Sequence, residues 1–221
     1  MIVDMEALTA IRQAEVTATQ TMLKRTAELF GLEPARLAAD TAYGSAKMLS
    51  WLVNDQGIEP HIPVFDKSAR KDGTFSRGDF QYDHDGDVYL CPGGKRMHTK
   101  GTLVNGGATL LYRASKYDCD PCKLKSRCCP KEPARKIPRS IYEGARDMAR
   151  EIARTDAYVV SRRERKKVEM LFAHLKRILK LDRLRLRGPT GAHDEFLLAA
   201  TAQNLRKMAK VIPMAQRLPA S

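Results

Sequence analysis

The sequence predicts an α/β protein whose βα frame is interrupted by a β-rich, cysteine-containing insertion. Residues 1–64 alternate short strand-like and longer helix-like runs. Residues 65–138 lose that alternation and become rich in Gly, Asp, Lys and Cys. Residues 139–212 return to long helical periodicities, and 213–221 are left as a frayed tail. Strand–helix–strand order in the first part implies parallel strands joined by right-handed crossovers.

Each element has a local reason. "MIVDMEAL" reads as a short strand beginning at the first residue, and "AEVTATQTMLKRTAELFG" as a helix ended by Gly31. "ARLAAD" is a half-apolar strand that ends at Asp40. "TAYG" turns the chain, and Ser45 then caps a helix with Met48, Leu49, Leu52 and Val53 on one face. Gly57 stops it, and "IEPHIPV" follows as a strand whose prolines place it near a sheet edge. In the insertion, "DFQYDHDGDVYL" alternates around Asp85-Gly86, a hairpin signal, and "TLLYRASKYDC" is a further strand. Ser140 to Glu143 has capping-box spacing and opens a helix reaching about Ala157. The next helix runs from Arg162 to about Leu181. The last, "GAHDEFLLAATAQNLRKMAKVI", is stopped by Pro213.

Composition narrows the function classes. The chain has 221 residues, 43% hydrophobic and 29% charged, without an apolar run of membrane-spanning length. Its first residues lack a basic segment followed by a long apolar one, so a cytoplasmic location is the default expectation. The net charge is +13, and residues 131–221 carry 22 Lys and Arg against 10 Asp and Glu. That concentration points to a polyanion partner, above all nucleic acid. The alternative is a basic protein with no such partner.

The segment "RRERKKVEMLFAHLKRILKL" holds the most informative spacing. Val168, Leu171, Phe172, Leu175, Ile178 and Leu179 follow the helical repeat and are expected to be buried. At about 100° per residue, Arg165, Glu169 and Lys176 fall on one narrow polar stripe beside them. On the helix alone, solvated ion pairing is the plainer account of Glu169. Asp40, at the C-terminal end of a parallel strand, supplies a second carboxylate where α/β sheets place their sites. Two such carboxylates suit Mg²⁺, and a pair of ions activates a nucleophile and stabilises a leaving oxygen in phosphodiester chemistry. Arg183, Arg185 and Arg187 alternate with Leu, predicting an extended strand or strap with its arginines on one side. Arg162, Arg163, Lys166 and Lys167 extend the basic zone. Trp51 and Tyr43 read as packing groups.

Four of the five cysteines lie between Cys119 and Cys129. Cys119-x-x-Cys122 is a metal-knuckle spacing, and Cys91 with Cys128 would complete a tetrahedral structural zinc site. Cys129 is the substitute for Cys128, and His98 a further candidate. The alternative is a set of reduced, unliganded thiols.

Taken together, "LAADTAYGS", "RKKVEMLFAHLKRILKL" with "RLRLRG", and "DEFLLAATAQNL" resemble DDE-type insertion-sequence transposases of bacteria. The resemblance implies a ribonuclease-H-like, integrase-type catalytic domain. It also implies Mg²⁺ or Mn²⁺ in a two-metal site and cleavage and strand transfer of DNA at transposon ends. The active complex is implied to be a homo-oligomer associated with the nucleoid. Asp40-Thr41-Ala42-Tyr43-Gly44 matches the family's second catalytic Asp. Arg165, Glu169 and Lys176 match the Arg-x-x-x-Glu-x-x-x-x-x-x-Lys of its catalytic helix. Arg162 stands where the family pattern has Tyr, so contact with phosphate is its implied role. The resemblance further implies two strands and a first Asp ahead of "MIVDMEAL". Asp4 lies on the wrong strand to replace that Asp. The chain is therefore expected to be a truncated transposase, catalytically dead or nearly so alone. The rival expectations are a non-catalytic DNA-binding fragment that inhibits an intact transposase, and a structural zinc-binding interaction module.

Overall fold

The computed structural model describes residues 1–8, 12–181 and 183–212. The expected tail, 213–221, lies outside the described residues. Helix α1 (Arg12–Phe30) ends at Gly31, whose φ of 61° is the left-handed conformation that closes a helix. Strand β1 (Arg36–Ala38) pairs in parallel with β2 (Glu59–His61), Leu37 opposite Pro60. Between them, α2 (Ala46–Ser50) starts on Ser45, whose hydroxyl accepts from the Met48 amide at 3.3 Å. It widens into a π turn over Trp51–Asp55 before Gly57 ends it with φ 64°.

The insertion is a five-stranded antiparallel sheet in chain order: β3 (Gln81–Asp83), β4 (Val88–Leu90), β5 (Arg96–Val104), β6 (Thr109–Arg113) and β7 (Lys136–Ser140). The β3–β4 hairpin forms as expected, but Asp87, not Gly86, takes the positive φ (46°). Asp87 is held there by the hydroxyls of Tyr82 and Tyr112, which both donate to its carboxylate. Pro138 is accommodated because β7 is an edge strand. Two single-turn helices, α3 (Lys116–Cys119) and α4 (Lys125–Cys128), lie between β6 and β7.

Three longer helices follow: α5 (Glu143–Ile152), α6 (Asp156–Arg177) and α7 (Gly188–Val211). No described helix is long and apolar enough to cross a membrane. The expected capping box at Ser140 does not form. Ser140 is the last residue of β7 and its hydroxyl accepts from the Tyr142 amide, while Glu143 turns inward to other partners. The N-terminal strand is also absent, since residues 1–8 have no ladder partner among the described residues. Instead the Asn204 side-chain amide of α7 accepts from the Ile2 N–H at 2.8 Å and donates to its carbonyl at 2.7 Å.

Two apolar cores result. One gathers Met48, Leu49, Leu52, Ile58 and Ile62 against Ala145 and Ala149 of α5. The other lies in the insertion, where Phe80, Tyr89, Met97, Tyr112 and Ile137 pack with Cys119, Cys128 and Cys129. Charge joins them. Glu143, 1% exposed, accepts from Arg77 at 2.8 Å, Arg146 at 2.9 Å and Arg150 at 2.9 Å. Asp66 pairs with Arg77 and Arg150 at 2.9 Å each. Asp147 receives Arg139 at 2.8 Å, and the Arg139 guanidinium lies 3.6 Å from the Tyr82 ring centroid.

Glu143→Ala removes the buried acceptor shared by Arg77, Arg146 and Arg150 and leaves them only the more exposed carboxylates of Asp66 and Asp147. Urea unfolding should show a loss of about 3–5 kcal/mol. A loss under about 1 kcal/mol would mean the pairs are replaceable by water.

Burial pushes the Asp66 carboxyl up, but hydrogen bonds from Ser68 and the charges of Arg77 and Arg146 outweigh it and hold it well below the usual carboxylate range. A depressed folded pKa gives stability that is present above the unfolded value of about 3.9 and lost as pH falls below it. Asp66→Asn should therefore flatten the stability profile below about pH 4, read as the midpoint of urea unfolding against pH. An unchanged acid slope would refute the assignment.

Candidate active site and basic face

Asp40 stands at the exit of β1 and caps a 3₁₀ turn over Thr41–Tyr43. Its Oδ1 accepts from the Ala42 amide at 2.8 Å, and no described residue donates to Oδ2. The carboxylate is thus fixed by its own turn while the residue remains exposed. Gly44 has a steric role that sequence reasoning missed. A Cβ there would lie 2.0 Å from the Pro63 carbonyl oxygen, so any other residue would push away the chain leaving β2. The Phe65 amide donates to the Gly44 carbonyl at 2.8 Å, locking the Asp40 turn onto that segment. Tyr43 points back among the core residues, and burial pushes its phenol up.

Glu169 lies on α6. Its partner is Arg165, one turn earlier at 3.3 Å, and its side chain is 59% exposed. The apolar stripe beside it is not buried as expected. Leu175 is 2% exposed, but Val168, Phe172 and Ile178 are 50%, 55% and 58% exposed. The reason is geometric. The helix meets β2 through its first half, where Tyr158 stacks on His61 and Ser161 is buried. Farther along, Val168, Phe172 and Leu175 face an open cavity of about 840 Å³.

Of the predicted site residues Lys176 lines that cavity, whereas Asp40 and Glu169 do not. Lys176 lies on the α6 wall with Val168, the neighbour of Glu169. Tyr43, three residues past Asp40, lies on another wall. Residues 1–6, including Asp4 and Glu6, line it too, together with Glu15, Ala18, Thr19 and Met22 of α1. Asp4 is engaged, because Arg25 binds both its oxygens at 2.8–3.0 Å and also reaches Glu6 at 2.9 Å. Among the described residues, no group of three or more His, Cys, Asp or Glu side chains stands gathered as a metal site.

The basic face is exposed. Arg162, Arg163, Lys166 and Lys176 lie on the open side of α6, and Lys167 pairs with Glu164 at 2.6 Å. Arg183, Arg185 and Arg187 are exposed too, on a strap and not a strand. With no neighbouring strand among the described residues, the strap takes its bonds from Glu195 of α7, whose Oε1 accepts from the amides of Arg185 (2.5 Å) and Leu186. Gly191 permits this fold-back, since a Cβ there would lie 2.7 Å from that of Leu186. Glu195 and Gly191 carry no periodic signal. The only sequence hint is "RGPTG", a turn-rich opening to a helix.

The cysteine set converges. Cys91, Cys119, Cys122, Cys128 and Cys129 line one small apolar cavity, and all five are free thiols. The Lys95 amide donates to Cys91 Sγ at 3.4 Å, while Cys122 N–H donates to the Cys119 carbonyl at 3.2 Å. Burial pushes the Cys128 thiol up to about 12. His98 is instead on β5, opposite Arg113, along a separate open cavity.

Residues 90–209, over half of the chain, match the family of transposase DDE domains. The match begins within β4 and contains Glu169, Lys176, the arginine strap and all five cysteines, while Asp40 precedes it. No curated protein and no solved structure gives a match. On the strength of that match, the chain belongs to the transposase DDE-domain family.

Proposed function

We propose that the chain is a ribonuclease-H-like catalytic region of a DNA transposase, with Asp40 and Glu169 as its metal-holding carboxylates. The match of residues 90–209 to transposase DDE domains carries this reading, and a cavity lined by Tyr43, near Asp40, and by Val168, next to Glu169, accords with it. The donor set fits Mg²⁺ or Mn²⁺. Both carboxylates are exposed, and each is oriented by one local contact that leaves capacity to bind. When bound, a metal pair there would activate an attacking oxygen and stabilise the leaving oxygen of a DNA phosphodiester. Arg165 keeps Glu169 in place. Lys176, Arg162, Arg183, Arg185 and Arg187 hold the backbone phosphates of transposon-end and target DNA, in a complex containing more than one copy of the chain.

The second reading is a DNA-binding chain that does not cut. It is favoured by the absence of any three-residue metal group among the described residues, with Asp4 committed to Arg25. Cleavage assays in Mg²⁺ and Mn²⁺ on DNA carrying the element's ends separate the two. Under the first reading, Asp40→Ala and Glu169→Ala each abolish cutting while DNA affinity is kept or rises, because a negative charge is removed. Full cutting by both variants refutes it, and binding without cutting by the unaltered chain leaves the second reading.

Either way the strap should contact phosphate. Replacing Arg183, Arg185 and Arg187 together by Ala should reduce the slope of log affinity against log salt on duplex DNA by about 2–3, roughly one for each phosphate no longer neutralised. An unchanged slope would take the strap out of the interface.

A further inference from the structure

The cavity beneath α3 and α4 holds an unbalanced charge. Arg135 lines it and is only 6% exposed. Its Nη1 donates to the Cys128 carbonyl at 2.9 Å and its Nη2 to the Phe75 carbonyl at 2.8 Å, while its Nε has no partner. No described carboxylate pairs with it, in contrast to Arg77, Arg139, Arg146 and Arg150. A buried guanidinium bonded only to neutral carbonyls is costly, and it calls for an anion nearby. The Arg135 guanidinium lies 5.0 Å from the Phe80 ring centroid, and across this space it faces five thiols together with Lys95, Asp118 and Lys125, while Arg70 and Asp72 act on it from outside the cavity.

Those thiols fall into a pair and a group of three. Cys91 and Cys122 overhang Gly93, since a Cβ on that glycine would meet Cys122 Sγ at 3.5 Å and Cys91 Sγ at 3.6 Å. Both sulfurs therefore lie close to the same face of Gly93. Cys129 lies within hydrogen-bonding reach of Cys119 as well as Cys128. It is thus the member of the vicinal pair that connects to the Cys119-x-x-Cys122 loop. The backbone around Cys91 is a tight knuckle: the Gly94 amide donates to the Cys91 carbonyl at 2.8 Å, and Lys95 N–H to its sulfur. An N–H directed at sulfur stabilises a thiolate.

We propose that Cys91, Cys119, Cys122 and Cys129 hold one tetrahedral zinc ion in this cavity, and that Cys128 stays outside the ligand set. Four thiolates and one Zn²⁺ carry a net charge of −2, which answers the buried Arg135. Zinc–sulfur bonds of about 2.3 Å require the thiols to rotate inward from positions that are not yet gathered as a metal site. The site is independent of Asp40 and Glu169. Its effect is to tie α3 and α4 to the β4–β5 turn.

The test is zinc content of the full chain purified under reducing conditions with zinc supplied, together with the spectrum of the Co²⁺-substituted protein. One zinc per chain and a thiolate-to-cobalt charge-transfer band are expected. Cys122→Ser and Cys129→Ser should lose both, Cys128→Ser should keep both, and Arg135→Met should weaken zinc about tenfold or more in chelator competition. No zinc and no cobalt band in the unaltered chain overturns the proposal. Loss in Cys128→Ser, with or without loss in Cys129→Ser, overturns the ligand assignment.

Discussion

The buried carboxylate of Glu143 is the interaction on which the architecture turns. Its position, at the start of α5 immediately after β7, makes it the seam between the insertion and the βα frame. Arg77 comes to it from the insertion, and Arg146 and Arg150 from its own helix. The apolar face of α5 belongs to the first core, so one short helix fixes both halves, by Ala145 and Ala149 on one side and by charge on the other. Ion pairs suit a seam better than an apolar contact would. They specify geometry through hydrogen-bond direction and penalise any slip that leaves a buried charge alone.

The candidate site depends on that frame at one remove. Asp40 is placed by β1 and by the close approach of Gly44 to residues 63–65, and the same segment continues to Phe65, whose carbonyl accepts from Arg146 at 2.8 Å. The turn bearing the carboxylate is therefore braced from behind by the charge network. Glu169 has no such brace. It sits on an exposed stretch of α6, positioned only by the helix and Arg165. One acid is fixed by the fold and the other is carried on an arm.

What the sequence discloses follows from how local each feature is. Gly31, Ser45 and the β3–β4 turn act within a few residues, and each is legible from its own neighbours. The alternation of residues 81–90 is readable because a hairpin is its own partner. "MIVDMEAL" fails as a strand because a strand needs a neighbour, and Ile2 finds the Asn204 amide instead. Val168 and Phe172 carry the right period for burial, yet period states only which side they share, not whether anything covers it. Glu143 reads as a capping residue because one of its partners, Arg77, is 66 positions away. The cysteine spacing is visible at once, whereas Arg135, which gives it an electrostatic reason, is not. Its meaning depends on Phe75, 60 residues distant.

Glu195 gives the strap an unusual economy. Two consecutive backbone N–H groups close on a single carboxylate oxygen, the arrangement by which main chain commonly grips a phosphate. The protein has filled that grip with an anion of its own. Those two amides are thereby withdrawn from competition for an external anion, which leaves the neighbouring guanidinium groups as the charged donors there. If the strap meets DNA as proposed, the reach of its arginine side chains is what would follow a phosphate, over a main chain tied to α7 at Arg185 and Leu186.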